Sequence, residues 1–306
     1  MNKILIPKWQ DAVWGFVVGD ALGVPYEFCD RLMMMENPAI GMGGYGTHNQ
    51  PPGTWSDDTS MMLCVLENLL KDGNENDLAK LFLRWYLYGH NTASGFNFDM
   101  GITTRISLQK IADGIPPSKA GATDPMSAGN GSLMRCFPYA FLQDYHKGAF
   151  RMIRQSKFTH SLSICHECCL FYCRMIRLLA EGYEKFEAKQ KAVAYLLYGW
   201  RITDEYDESE NEHQLFKKLF AKEFSSIPEN EIQSGGYVLH TLEAAVWCFL
   251  NTENYRDAVL KAVNLGGDTD TVAALTGALA ATYYGKNDIH PKWLEGLVNK
   301  GRIEEV

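Results

Sequence analysis

Gly15-Phe16-Val17-Val18-Gly19-Asp20-Ala21-Leu22-Gly23-Val24-Pro25-Tyr26-Glu27 is the stretch on which the fold turns. Its glycines recur every fourth residue, so on a helix they form one bare stripe. Each glycine costs roughly 1 kcal/mol against alanine inside a helix. Three in register therefore imply that a second helix, or a ligand, must come close. Pro25 ends the helix. Asp20 lies with Val13, Phe16 and Val17 and is expected to be buried, where a carboxylate must be paired, hydrogen-bonded or protonated. Bonding to backbone amides and support of a metal site weigh equally for it. Glu27, just beyond Pro25, is free to face a cleft.

Outward from this stretch, apolar residues recur at helical spacing almost everywhere. The pattern predicts helices over residues 8–23, 57–71, 76–88, 101–112, 131–144, 148–156, 161–182, 187–201, 212–223, 236–251, 254–264, 269–284 and 291–299. No run alternates with period two, so the expected fold is all-α, a single compact many-helix domain over residues 1–306. Three long loops, Glu36–Ser56, Gly89–Met100 and Asp113–Asn130, each run into a helix start and are candidates for function. The acidic stretch Thr203–Glu212 reads as a solvated loop.

Composition narrows the classes. A net charge of -8 over 306 residues opposes general nucleic-acid or anionic-membrane binding, while leaving room for a local pocket for a phosphate-bearing ligand. The start, MNKILIPKWQDAVWGF, lacks a signal-peptide core, and no apolar run reaches the ~20 residues of a membrane span. A cytoplasmic location and a monomer are expected. The eight cysteines read as free thiols in a reducing compartment. Cys165-His166-Glu167-Cys168-Cys169 has no partner pair at zinc-site spacing, and thiols on a buried helix face are the simpler reading.

Two acidic turns carry the chemistry. In Gly53-Thr54-Trp55-Ser56-Asp57-Asp58-Thr59, Ser56 or Thr54 can cap a helix whose first turn holds Asp57 and Asp58. Alone, this is a stabilising cap worth ~0.3–1 kcal/mol. The construction returns in Gly266-Gly267-Asp268-Thr269-Asp270-Thr271, ahead of an alanine-rich helix. Four carboxylates with the hydroxyls of Ser56 and Thr271 make an all-oxygen set, which suits Mg²⁺ or Mn²⁺ better than zinc. A shared carboxylate could bridge two such ions. Free amides at the two helix starts would still attract phosphate oxygens. Ser127-Ala128-Gly129-Asn130-Gly131-Ser132 offers amides of the same kind, as does the entry Asp99-Met100-Gly101-Ile102; Thr159-His160-Ser161 precedes a further helix.

Taken together, GDALGVPYEF, GTWSDDTS, FDMGITTR, GNGSLMR, THS and GGDTDTVAALTGA resemble the ADP-ribosylglycohydrolase family, in that family's order and across residues 15–280. The resemblance implies an all-α fold with a binuclear Mg²⁺ or Mn²⁺ cleft. By motif matching it implies Ser56, Asp57, Asp58, Asp268, Asp270 and Thr271 as metal ligands; the family often has Thr at the Ser56 position, and the hydroxyl survives. Gly101, Ser127, Gly129, Asn130, Gly131, Ser132 and His160 match positions lining an ADP-ribose pocket, and Glu27 matches an acid near the substrate ribose. Residues 185–234 carry no motif of the family.

The implied reaction is hydrolysis at C1″ of the distal ribose, releasing ADP-ribose from a modified protein or small molecule. Asp57, Asp58 and Asp270 would serve the reacting centre, with Glu27 as a candidate acid. ADP-ribosyl-arginine is the leading substrate; ADP-ribosyl-serine and O-acetyl-ADP-ribose are alternatives, as is binding of ADP-ribose without turnover. Other helical Mg²⁺ enzymes match poorly. The fifth position of a terpenoid-synthase DDxxD is Met61 here, and none of the eight histidines precedes an aspartate.

Overall fold

The computed structural model describes residues 5–199 and 214–306. Its helices are α1 (Trp9–Gly23), α2 (Arg31–Glu36), α3 (Asp57–Leu70), α4 (Glu75–Tyr88), α5 (Ile102–Ala112), α6 (Tyr145–Ser156) and α7 (Ser163–Ala180). They continue as α8 (Lys185–Ala194), α9 (Lys217–Phe220), α10 (Val238–Leu250), α11 (Tyr255–Asn264), α12 (Thr269–Tyr284), α13 (Pro291–Glu295) and α14 (Lys300–Glu305). Among the described residues only three isolated bridges pair extended backbone, and no strand forms. The fold is an all-helical single domain.

The glycine stripe of α1 meets α12. A Cβ at Gly15 would stand 2.3 Å from the Gly277 carbonyl oxygen, one at Gly19 2.2 Å from that of Ala273, and one at Gly23 2.3 Å from Cα of Asp270. The two backbones approach as only glycine permits. Around this pair every residue of α1 from Ala12 to Gly23, and of α12 from Thr269 to Thr282, is buried. The stripe thus sets the axial register of α12, and with it the position of the second acidic turn. Thr269 Oγ1 donates to the Gly23 carbonyl at 2.7 Å, fixing the join.

Most helix expectations hold within a few residues; the departures have local causes. The helix expected over 131–144 is a turn followed by a 3-10 segment, Phe137–Phe141. Pro138 has no N–H to continue an α-helix, and with every residue from Ser132 to Leu142 buried, its apolar run reflects enclosure more than one helical face. The helix expected over 291–299 stops at Glu295 and restarts as α14 after Asn299, which takes the left-handed conformation. The short α2 had no sequence signal. Of 212–223, α9 covers only Lys217–Phe220, and the acidic stretch Thr203–Glu212 lies outside the described residues. All eight cysteines are free thiols, seven of them buried. Among the described residues, no helix is long and apolar enough to cross a membrane.

Candidate active site

Asp20 decides how the first acidic turn is held. Its buried carboxylate accepts from the Ser56 amide (3.0 Å to Oδ1), the Thr59 amide (3.0 Å) and the Thr59 hydroxyl (2.6 Å). Three donors satisfy an acid that burial would otherwise make untenable, although burial still lifts its pKa to about 6 against the pull of those bonds. Asp20 therefore bolts the start of α3 onto α1. Ser56 caps α3, its Oγ accepting from the Asp58 amide at 3.2 Å. It borders a small crevice with Asp57 and Asp99.

The second turn is shaped by Gly266 and Gly267, with φ of 71° and 78°. This left-handed pair lets the chain reverse beside residues 28–29: the Phe28 amide donates to the Gly267 carbonyl (2.7 Å) and the Gly267 amide to that of Cys29 (2.8 Å). Glu27 is thereby drawn against the turn. Carboxylate oxygens of Glu27, Asp268 and Asp270 all lie within 4.8 Å of one another. Asn130 joins the glycine-rich loop to the same turn, its Nδ2 donating to Asp268 Oδ2 (2.9 Å) and Thr241 Oγ1 (3.0 Å).

Both acidic turns open on one cleft of about 590 Å³. Asp57, Asp58, Asp268, Thr271 and Glu27 line it together with Gly101, Ser127, Gly129, Asn130, Gly131 and His160. Asp270 is buried beside Glu27 and Asp268 and is not among the residues lining the cleft. Ser132 lies elsewhere: it is fully buried, with its hydroxyl 3.8 Å from Cys169 Sγ, because the backbone turns inward after Gly131.

This grouping is electrostatically expensive. Burial raises Asp57 well above the usual carboxylate range, with Asp99 and Glu27 adding repulsion. Asp58 is raised by burial and by Asp57, and Asp270 by burial, Glu27 and Asp58. Glu27 is lifted to about 7, mainly by burial, against a hydrogen bond from His48. Two oxygens, Asp58 Oδ2 and Asp268 Oδ1, are buried and find no hydrogen-bond partner. Acids gathered in this way need protons or cations to neutralise them. Orphaned hard oxygens fit a divalent hard cation.

His48 and Asp99 complete the cluster, and sequence reasoning assigned neither a role. His48 Nε2 bonds Glu27 Oε2, its ring lies 5.3 Å from that of Phe98, and its pKa is raised chiefly by the bond to Glu27. Ligand atoms of Glu27, His48 and Asp99 also fall within 4.8 Å of one another. Both newcomers come from long loops, His48 from Glu36–Ser56 and Asp99 from Gly89–Met100. Loop length pointed to both, and Asp99 also lies in the FDMGITTR motif.

The family model described as ADP-ribosylglycohydrolase matches residues 1–306. The chain is 33% identical over 306 residues to ADP-ribosylarginine hydrolase Tri1 of Pseudomonas putida (strain GB-1), covering 98% of this chain and 77% of that protein. It is 27% identical to the ADP-ribosyl-[dinitrogen reductase] glycohydrolase of Rhodospirillum rubrum, covering 94% and 88%. A solved structure described as an ADP-ribosylglycohydrolase-related protein complex superposes with a TM-score of 0.77 at 29% identity, covering 97% of this chain and 94% of its own.

Proposed function

The chain belongs to the ADP-ribosylglycohydrolase family, and from that premise we propose that it hydrolyses the C1″ bond between ADP-ribose and an arginine side chain of a modified protein. The observation that carries the reading is the meeting of two acidic turns, 210 residues apart at Asp58 and Asp268, with an orphaned oxygen on each. The arginine acceptor is supported by the 33% identical relative named for that activity.

Asp57, Asp58, Asp268 and Asp270, with the hydroxyls of Ser56 and Thr271, would hold two Mg²⁺ or Mn²⁺ ions. When bound, such ions neutralise the acids and lower the pKa of water, supplying a nucleophile near neutral pH. The remaining chemistry falls to the chain itself. ADP-ribose lies along the cleft past Gly101, Ser127, Gly129, Asn130, Gly131 and His160, with its distal ribose at the acids. Positive charge building at C1″ is met by Asp57, Asp58 and Asp270, as in glycoside cleavage. The water oxygen bonds C1″ as the C1″–N bond breaks. One carboxylate takes the proton lost by water, and Glu27 gives its own to the departing nitrogen. In the cation-free chain burial lifts the Glu27 pKa to about 7, the direction a proton donor needs. Selectivity for the acceptor falls to the loops Glu36–Ser56 and Gly89–Met100, which bring His48 and Asp99 to Glu27.

The test is incubation of purified protein with Mg²⁺ and, separately, ADP-ribosyl-arginine, ADP-ribosyl-serine and O-acetyl-ADP-ribose. Faster release from the arginine conjugate is expected. Preference for another conjugate would reassign the acceptor, and release from none despite tight ADP-ribose binding would leave a binding module. Unchanged turnover in Glu27→Gln, with turnover abolished in Asp270→Asn, would remove Glu27 as the acid.

A further inference from the structure

A chain of three side chains runs from the core to the cleft: Arg135, Thr159 and His160. Arg135 is fully buried, and every hydrogen bond found for it goes to a neutral acceptor. It donates to Gln155 Oε1 (2.8 Å), the Gly131 carbonyl (2.7 Å), the Gln155 carbonyl (3.3 Å) and Thr159 Oγ1 (2.7 Å), and stands 4.8 Å from the Phe82 ring centre. Burial lowers its pKa to about 10, which still leaves it cationic at neutral pH. A guanidinium only donates. Thr159 Oγ1 must therefore accept from it, and the one acceptor found for the hydroxyl's own proton is His160 Nδ1, at 2.8 Å. A nitrogen that accepts that proton carries none, so the ring proton sits on Nε2.

The Nε2 edge faces the two glycines of the pocket loop. A Cβ at Gly129 would lie 3.5 Å from Nε2, and one at Gly131 would lie 3.4 Å from Nε2 and 2.8 Å from Cε1. Glycine at both positions leaves that edge open to the cleft. Burial also drops the His160 pKa to about 3, with Arg135 and His166 adding to the effect, so the ring stays neutral.

We propose that Arg135 is a positioning residue: acting through Thr159, it locks His160 in the neutral Nε2–H form, a fixed donor aimed into the cleft at an oxygen of the ADP-ribose diphosphate or ribose. Its bond to the Gly131 carbonyl also holds the glycine loop beside the His160 ring. The identity of the ligand rests on the proposed function; the tautomer does not.

Long-range ¹H–¹⁵N correlation on ¹⁵N-histidine protein, with His160→Gln for assignment, reads the tautomer directly. Protonated Nε2 with bare Nδ1, unchanged between about pH 5.5 and 8, is expected; protonated Nδ1, or a mixture, overturns the proposal. Thr159→Val should mix the tautomers and raise the Kd for ADP-ribose about fivefold, the worth of one neutral hydrogen bond. Thr159→Ser should restore both. An unchanged spectrum and Kd in the valine variant would reject positioning through Thr159. Absence of ADP-ribose binding by the wild type would count against the proposed function, while the unliganded spectrum would still decide the tautomer.

Discussion

Adding Mg²⁺ or Mn²⁺ should raise the melting temperature, and more so at neutral than at acid pH. Asp57, Asp58 and Asp270 have folded pKa values raised by burial and by one another. The cation-free folded chain therefore holds protons that the unfolded chain has released above the ordinary carboxylate range. Stability then falls as pH rises from the unfolded pKa through the folded ones. A cation that replaces those protons is most stabilising where they are most costly to keep, near about pH 7.5, and least near about pH 5. At a hundred times its Kd, one bound ion contributes about 2.7 kcal/mol. Unfolding entropy of roughly 2.1 cal/mol/K per residue comes to about 0.6 kcal/mol/K for a chain of this length. The expected shift is thus about 4 °C for one ion and about 8 °C for two. Scanning calorimetry with millimolar Mg²⁺, Mn²⁺ or EDTA measures it. Asp58→Asn removes a buried acid that must otherwise hold a proton at neutral pH, so without cation it should melt no lower than wild type, and it should lose most of the shift. No shift at neutral pH with either ion, or an equal shift in Asp58→Asn, would refute the reasoning.

Three further outcomes are expected. Gly19→Ala places a methyl 2.2 Å from the Ala273 carbonyl oxygen; prying α1 from α12 should cost about 3 kcal/mol by urea denaturation. Asp20→Ala strands the buried Ser56 and Thr59 amides and should cost about 2–3 kcal/mol, with hydrolysis falling further than stability because the Asp57–Asp58 turn loses its anchor. Burial would raise Glu67, yet bonds from Lys71 and His90 outweigh it and hold the acid at about 2; Arg302 also reaches it, at 3.0 Å. That stabilisation is complete above the unfolded pKa and is lost as pH falls through about 2. Glu67→Gln should therefore cost about 2 kcal/mol near neutrality, after a discount for solvent screening, and nothing in strong acid.

The parts of this fold legible in the sequence are those with a period or a repeat. The Gly15–Gly23 stripe announces a close helix partner because glycine every fourth residue has few other uses, and the repeated Gly-to-acid turn suggests a shared centre because it appears twice. Chemistry set by three-dimensional approach left no such trace. His48 and Asp99 reach Glu27 from loops whose paths no spacing fixes. Arg135 reads as the polar end of a glycine motif, since arginine is ordinarily exposed, and only the packed core shows it enclosed by neutral acceptors. The stretch after Gly131 misleads in the other direction: residues buried on all sides look helical by composition, and Pro138 is the small mark against it.

Asp20 and Asp58 show how the same buried acid can serve opposite ends. Both are enclosed beside the start of α3. Asp20 receives two amides and a hydroxyl, so its charge is absorbed by the fold, and asparagine could not accept all of them through one oxygen as well. Asp58 leaves an oxygen with no donor, as does Asp268 across the cleft. At the start of α3 the Ser56 and Thr59 amides go to Asp20 and the Asp58 amide to Ser56 Oγ, so none of the three serves the Asp58 oxygen. Leaving the Asp58 and Asp268 oxygens without donors raises the energy of the cation-free protein where two distant turns are brought together beside a glycine-lined helix contact. That cost is intelligible if the missing partner is a cation, because the orphaned oxygens then become ligands. Asp20 thus serves the scaffold with its charge met by donors, while Asp58 and Asp268 keep an oxygen each for the cleft.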